Sequence, residues 1–155
     1  MSTKSRKYLV KHIFSLIGTL NEEEKQKILN ELLKKRIPIS AFKAKLSGLE
    51  IIIKYLKEAE KKSFKEISKI LNRKLSTIYN TYNKSKIKFK KNLDLSDTSI
   101  KIPYNIFANR KYSILESIVF YLKDKQKLSL IKISLMLNKS YSTIKTVHRR
   151  YKIKK

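Results

Sequence analysis

Cysteine is absent from this chain, which excludes disulfides and thiolate-bound metal. Histidine is nearly absent too: His12 and His148 are the only two, so no zinc centre is expected. Glycine and proline occur twice each, and nothing resembles a glycine-rich phosphate loop or an HExxH helix. No apolar run approaches the ~18 residues a membrane span requires. The short apolar stretch Ile13 to Ile17 is followed by acids and not by a small-residue cleavage site, so no secretory signal is expected and a cytoplasmic location is. The one compact carboxylate cluster, Glu22 to Glu24, suits the first turn of a helix better than catalysis. We therefore expect no catalytic residue, no cofactor and no metal, and do not read the chain as an enzyme.

The acids are few against the bases. Twelve aspartates and glutamates face 38 lysines and arginines in 155 residues, a net charge of +26. Such a chain repels itself unless a polyanion is its usual partner, and nucleic acid is the first candidate. AT-rich codon usage would supply Lys, Ile, Asn and Tyr, but it would supply glutamate as well. The acids are also missing in particular places: none lies between Ile67 and Leu93, and none follows Asp124. The positive field is concentrated in two stretches.

Those two stretches belong to an internal repeat. The segment from Leu46, LSGLEIIIKYLKEAEKKSFKEISKILNRKLSTIYNTYNKSKIK, aligns without gaps to the segment from Tyr112, YSILESIVFYLKDKQKLSLIKISLMLNKSYSTIKTVHRRYKIK. Glu50, Tyr55, Leu56, Ser63, Ile67, Ser68, Leu71, Asn72, Ser76, Thr77 and Ile78 meet identical residues. A lead-in precedes each copy, IPISAF from Ile37 and IPYNIF from Ile102, with one extra residue before the second alignment resumes. A repeat of this kind decides the architecture.

With no sustained apolar/polar alternation, the sequence reads as all-α. Ser47 with Glu50, and Ser113 with Glu116, form capping boxes that open the first helix of each copy. Ile52, Ile53, Tyr55 and Leu56 supply its buried stripe, as do Ile118, Val119, Tyr121 and Leu122. A second helix starts at Ser63 or Ser129, and a third follows the break at 72–75 or 138–141. The expected organisation is an N-terminal helical segment (1–36), a first three-helix unit (37–88), a linker (89–101) and a second unit (102–155). In the N-terminal segment, Tyr8 to Ile17 forms one helix, and Asn21 with Glu24 caps another that runs to about Arg36, with Ile28, Leu29, Leu32 and Leu33 on one face. This pair either props the first unit's core or forms a homodimer or partner-binding hairpin.

Apolar residues at fixed places and a small residue at the helix crossing are what a helix-turn-helix requires. Across a twenty-position motif, the first copy offers Ile67, Ser68, Leu71, Leu75 and Ile78, and the second Ile133, Ser134, Leu137, Tyr141, Ile144 and Val147. The shared pattern, LSxLExIxxYL followed by SxxEIAxxLNRSxxTIxxxYxxA, resembles the helix-turn-helix of sigma factor region 4 and of LuxR-type regulators. The IPxSIF-like lead-in also resembles small archaeal tandem-repeat proteins built on this unit. The resemblance covers both copies and not the N-terminal segment. It implies two tandem helix-turn-helix units, double-stranded DNA as partner and a role in transcription regulation.

On that expectation the exposed face of each third helix meets base edges: Ser76, Tyr79, Asn80 and Asn83 in the first copy, and Ser142, Lys145, Thr146 and Arg149 in the second. Asn suits adenine, Lys and Arg suit guanine, and Thr or Tyr can pack on a thymine methyl. The faces differ chemically, so two unlike half-sites are expected, their separation set by the linker. Phosphate contacts are assigned to Arg73, Lys84, Lys86 and Lys88, and to Lys139, Arg150, Lys152 and Lys154. Ser140 can cap the second reading helix through Thr143, whereas Lys74 stands at that place in the first copy and offers no acceptor. Asn72 and Asn138 replace the usual turn glycine and tolerate a left-handed backbone. Tyr55 and Tyr121 lie on the buried stripe and are assigned to the core, and His148 to a phosphate or solvent contact. Three other readings remain: an adaptor that contacts RNA polymerase through one unit, a non-specific packer of nucleic acid, and an RNA binder. The last is disfavoured by the few aromatics free to stack bases.

Overall fold

The computed structural model describes residues 3–34 and 36–154. The protein is all-α, with eight α-helices and one two-stranded sheet among the described residues. It divides into two units, Met1–Lys35 and Arg36–Lys155. No helix among the described residues is long and apolar enough to cross a membrane.

In the first unit α1 (Thr3–Gly18) precedes α2 (Glu22–Lys34). Asn21 Oδ1 accepts the Glu24 N–H at 2.9 Å while the Glu24 carboxylate accepts the Asn21 N–H at 3.0 Å. This is the expected reciprocal cap. Helix α2 ends at Lys34, short of the expected Arg36, which belongs to the strand that leads to Pro38. Leu9, Val10, Ile13, Phe14 and Leu16 on α1 are exposed, as is Ile28 on α2. The side chains of Leu29, Leu32 and Leu33 lie outside the described residues.

The second unit holds both repeats. The first consists of β1 (Arg36–Pro38), a 3₁₀ turn (Ile39–Lys43), α3 (Gly48–Glu58), α4 (Phe64–Leu71) and α5 (Leu75–Lys88). The second consists of β2 (Lys101–Pro103), a 3₁₀ turn (Tyr104–Ala108), α6 (Ile114–Phe120), which runs on into a π-turn (Tyr121–Lys125), α7 (Leu130–Met136) and α8 (Tyr141–Lys154). The capping boxes at Ser47 and Ser113 form with both bonds present. Ser63 and Glu66 make another that the sequence reading did not pick out.

The repeats are interlocked. Strands β1 and β2 pair antiparallel with Ile37 opposite Ile102, Arg36 opposite Pro103 and Pro38 opposite Lys101. That register is symmetric: it exchanges each residue with its repeat counterpart, so a pseudo-dyad passes through the Ile37–Ile102 pair. Each lead-in crosses the dyad. The second 3₁₀ turn packs on α4 of the first repeat, and the first packs on α7 of the second. Ile37, Ile39, Ile102 and Phe107 are all but fully buried there, beside the Phe42–Phe107 ring pair at 6.4 Å. The first turns of α3 and α6 meet on the same axis, where a Cβ on Gly48 would stand 2.6 Å from Cγ2 of Ile114, its own counterpart.

Segment 89–100, expected as an unpatterned linker, lacks regular structure, yet Leu93, Leu95 and Ile100 pack against the core. Asp94 and Asp97 each accept bonds from a serine two residues on, and the Asp97 N–H donates to the buried Ser40 hydroxyl at 3.3 Å. Lys101 already belongs to β2.

Candidate nucleic-acid interface

The interface candidates sit on α5 and α8, and the same local device aims both helices. Asn72 and Asn138 each adopt φ near 49°, in the left-handed region. The Arg73 N–H then reaches the Ser68 carbonyl at 3.0 Å and the Lys139 N–H reaches that of Ser134 at 3.0 Å, closing α4 and α7 in the same left-handed cap. The small serines leave room for the chain to double back: Ser134 is buried and Ser68 half-buried. Lys61 and Lys127 also take positive φ, at the end of each repeat's first helix, and nothing in a lysine's chemistry signals that.

Helix α5 is held by Ile78 and Ser85, both fully buried, against α3 and α4. Its opposite side presents Ser76, Tyr79 and Asn80 exposed and Asn83 half-buried. Helix α8 is held by Ile144, Val147 and Tyr151, the last stacked on Tyr112 and Phe120 at 4.3 and 4.2 Å. It presents Ser142, Lys145 and Arg149 exposed and Thr146 half-buried. Each expected set therefore shares one outward helix face. The Tyr79 ring meets Phe64 edge-on at 5.5 Å, so part of it is already engaged within the first repeat.

The helix starts differ as their caps demand. Ser140 Oγ accepts the Thr143 N–H at 3.2 Å and shares hydroxyl bonds with Ser142 and Thr143. Lys74 makes no side-chain cap bond to α5.

The expected phosphate contacts fall into two groups. Lys84, Lys86, Lys139, Arg150 and Lys152 are exposed, and Arg73 is half-buried with its Nε enclosed. Lys88 and Lys154 are exposed too but already ion-paired: Lys88 Nζ lies 2.7 Å from the Glu50 carboxylate, and Lys154 Nζ lies within 2.9 Å of both Glu116 oxygens. Glu50 and Glu116 are buried. Burial pushes their carboxyls up, but the lysine bonds together with the serine bonds of the capping boxes outweigh it and hold both below the ordinary value. These pairs tie the end of each third helix to the start of the first helix of its repeat. His148 is half-buried, and burial and Lys152 hold its imidazole below the ordinary value against the pull of Asp124. Tyr55 is buried, and Tyr121 is half-buried. Their hydroxyls donate to the carbonyls of Arg36 and Lys101, anchoring the two strands.

Arg110, which the sequence reading did not select, lies beside Arg73, Lys74 and Thr77. It comes from the other repeat, so no spacing within one copy could have indicated it. Comparison with protein-family models, with characterised proteins and with solved structures finds no match to this chain.

Proposed function

We propose that the protein binds double-stranded DNA in a sequence-specific manner through two helix-turn-helix units, α4–α5 and α7–α8, as a transcription regulator. The observation that supports this most is the twofold recurrence of one arrangement: a helix anchored by its apolar side, presenting a polar face and followed by exposed cations within an acid-free stretch. The resemblance to sigma region 4 and LuxR-type units belongs to the same reading. Ser76, Tyr79, Asn80 and Asn83 read one half-site, and Ser142, Lys145, Thr146 and Arg149 the other. The pseudo-dyad puts the half-sites in opposite orientations, and the unlike faces make their sequences differ. Selection from a random duplex pool tests this: an inverted pair of dissimilar half-sites supports the reading, and no enrichment at all leaves only a charge-driven packer.

A second reading, the adaptor that touches RNA polymerase or another protein through one unit, draws on an apolar surface in the first repeat. Phe64, Leu75 and Tyr79 line an open depression beside the α5 face, and Leu75 and Tyr79 are exposed. Tyr79→Ala separates the readings, since an adaptor surface leaves DNA affinity unchanged and a reading surface does not.

A further inference from the structure

A cleft between the repeats is lined by Arg73, Lys74 and Thr77 of the first repeat and by Arg110 of the second. Its volume is about 80 Å³. That is room for more than one water-sized group, enough for the oxygens of an anion.

Three features of the cleft call for an anion. Arg73 Nε is buried with no hydrogen-bond partner among the described residues, and an enclosed guanidinium nitrogen without an acceptor is costly. Burial, followed by the charge of Arg110, holds the Arg73 guanidinium below its ordinary value, and no ion pair among the described residues involves either arginine. Helix α5 starts at this cleft without a side-chain cap, so N–H groups of its first turn lack the acceptor that Ser140 gives α8.

We propose that this cleft is a composite phosphate site, built by both repeats, that grips one backbone phosphate of duplex DNA at the start of α5. The inference rests on the DNA-binding reading and adds its occupant and a residue, Arg110. The phosphate supplies the missing cap of α5 and is held between the guanidiniums of Arg73 and Arg110. The clamp is built once: in the second repeat Ser140 occupies the place of Lys74 and already caps α8. One unit therefore gains a fixed phosphate anchor that spans the pseudo-dyad, and this sets the register of the whole protein on the duplex.

The test is duplex binding by the full chain across a salt series, followed by fluorescence anisotropy, for wild type, Arg110→Gln, Arg110→Lys and the neighbouring Lys111→Gln. Arg110→Gln should weaken binding roughly tenfold and make the log–log salt slope shallower by about 0.9. Arg110→Lys should keep the slope and lose part of the affinity, and Lys111→Gln should change affinity less than Arg110→Gln does. Amide resonances of Leu75 and Thr77 should shift on DNA addition in wild type, and by less in Arg110→Gln at saturating DNA. Wild-type binding that Arg110→Gln leaves unaltered in affinity and slope overturns the clamp alone. No duplex binding by wild type overturns the DNA reading and the clamp together. Inorganic phosphate shifting those amides while Arg110→Gln keeps full DNA affinity marks a free-anion site and also overturns it.

Discussion

Gly48 stands against Ile114 with no space for a methyl group. The clash falls on Cγ2, one bond from Cβ, and so cannot be relieved by swinging a flexible tip. Gly48→Ala should cost about 1–3 kcal/mol through overpacking, read as a lower urea midpoint. Adding Ile114→Ala should recover part of that loss, since neighbouring substitutions couple. Helix caps offer a second residue-scale check. Ser140→Ala should destabilise by about 1 kcal/mol, while Lys74→Ser should stabilise the free protein and weaken its hold on DNA by removing a cation from the cleft. Several of these residue roles were legible in the sequence: the capping boxes, the left-handed asparagines and the missing cap at Lys74 all follow from side-chain chemistry within four residues. The Gly48–Ile114 contact and Arg110 were not, because they arise across the dyad between residues far apart in the chain.

At the scale of elements, each third helix is tied to its own repeat at both ends, by the left-handed turn at its start and by Lys88 or Lys154 at its close. The sequence indicated the third helices, but nothing local in it shows that Lys88 and Lys154 pair with Glu50 and Glu116, which are buried and 38 residues away. The pairs have a pH signature. Both carboxyls lie below their ordinary value of 4.5 in the folded protein, so their stabilisation is fully present above that value and is lost as pH falls through the folded one. The urea midpoint should drop as pH falls below the ordinary carboxylate range, and Glu116→Gln should flatten that drop while lowering the midpoint at neutral pH. Helix α1 carries the exposed apolar residues Leu9, Val10, Ile13 and Phe14 together with the cations Lys7 and Lys11 and no acid, while α2 opens with Glu22, Glu23 and Glu24.

For the molecule as a whole, the pseudo-dyad replaces the linker as the part that sets the spacing of the two proposed reading helices. With Lys88 and Lys154 already ion-paired, about six of the phosphate candidates remain unpaired and Arg110 adds one, so the salt slope should lie near −6. Segment 89–100 carries Leu93, Leu95 and Ile100 on the core, but the relation between the repeats is fixed by the β1–β2 pairing and by each lead-in packing on the opposite repeat. Lengthening the exposed stretch at Lys90–Asn92 by four glycine and serine residues should thus leave the distance between the two footprints on the selected duplex unchanged, at one helical turn or a multiple of it. Substituting Ile37 and Ile102 together by serine removes the buried pair on the axis. That variant should blur or lose the paired footprint while each half-site, offered alone, still binds weakly. A footprint spacing that grows with the inserted residues would mean that the chain between the repeats, and not the dyad, dictates how the duplex is read.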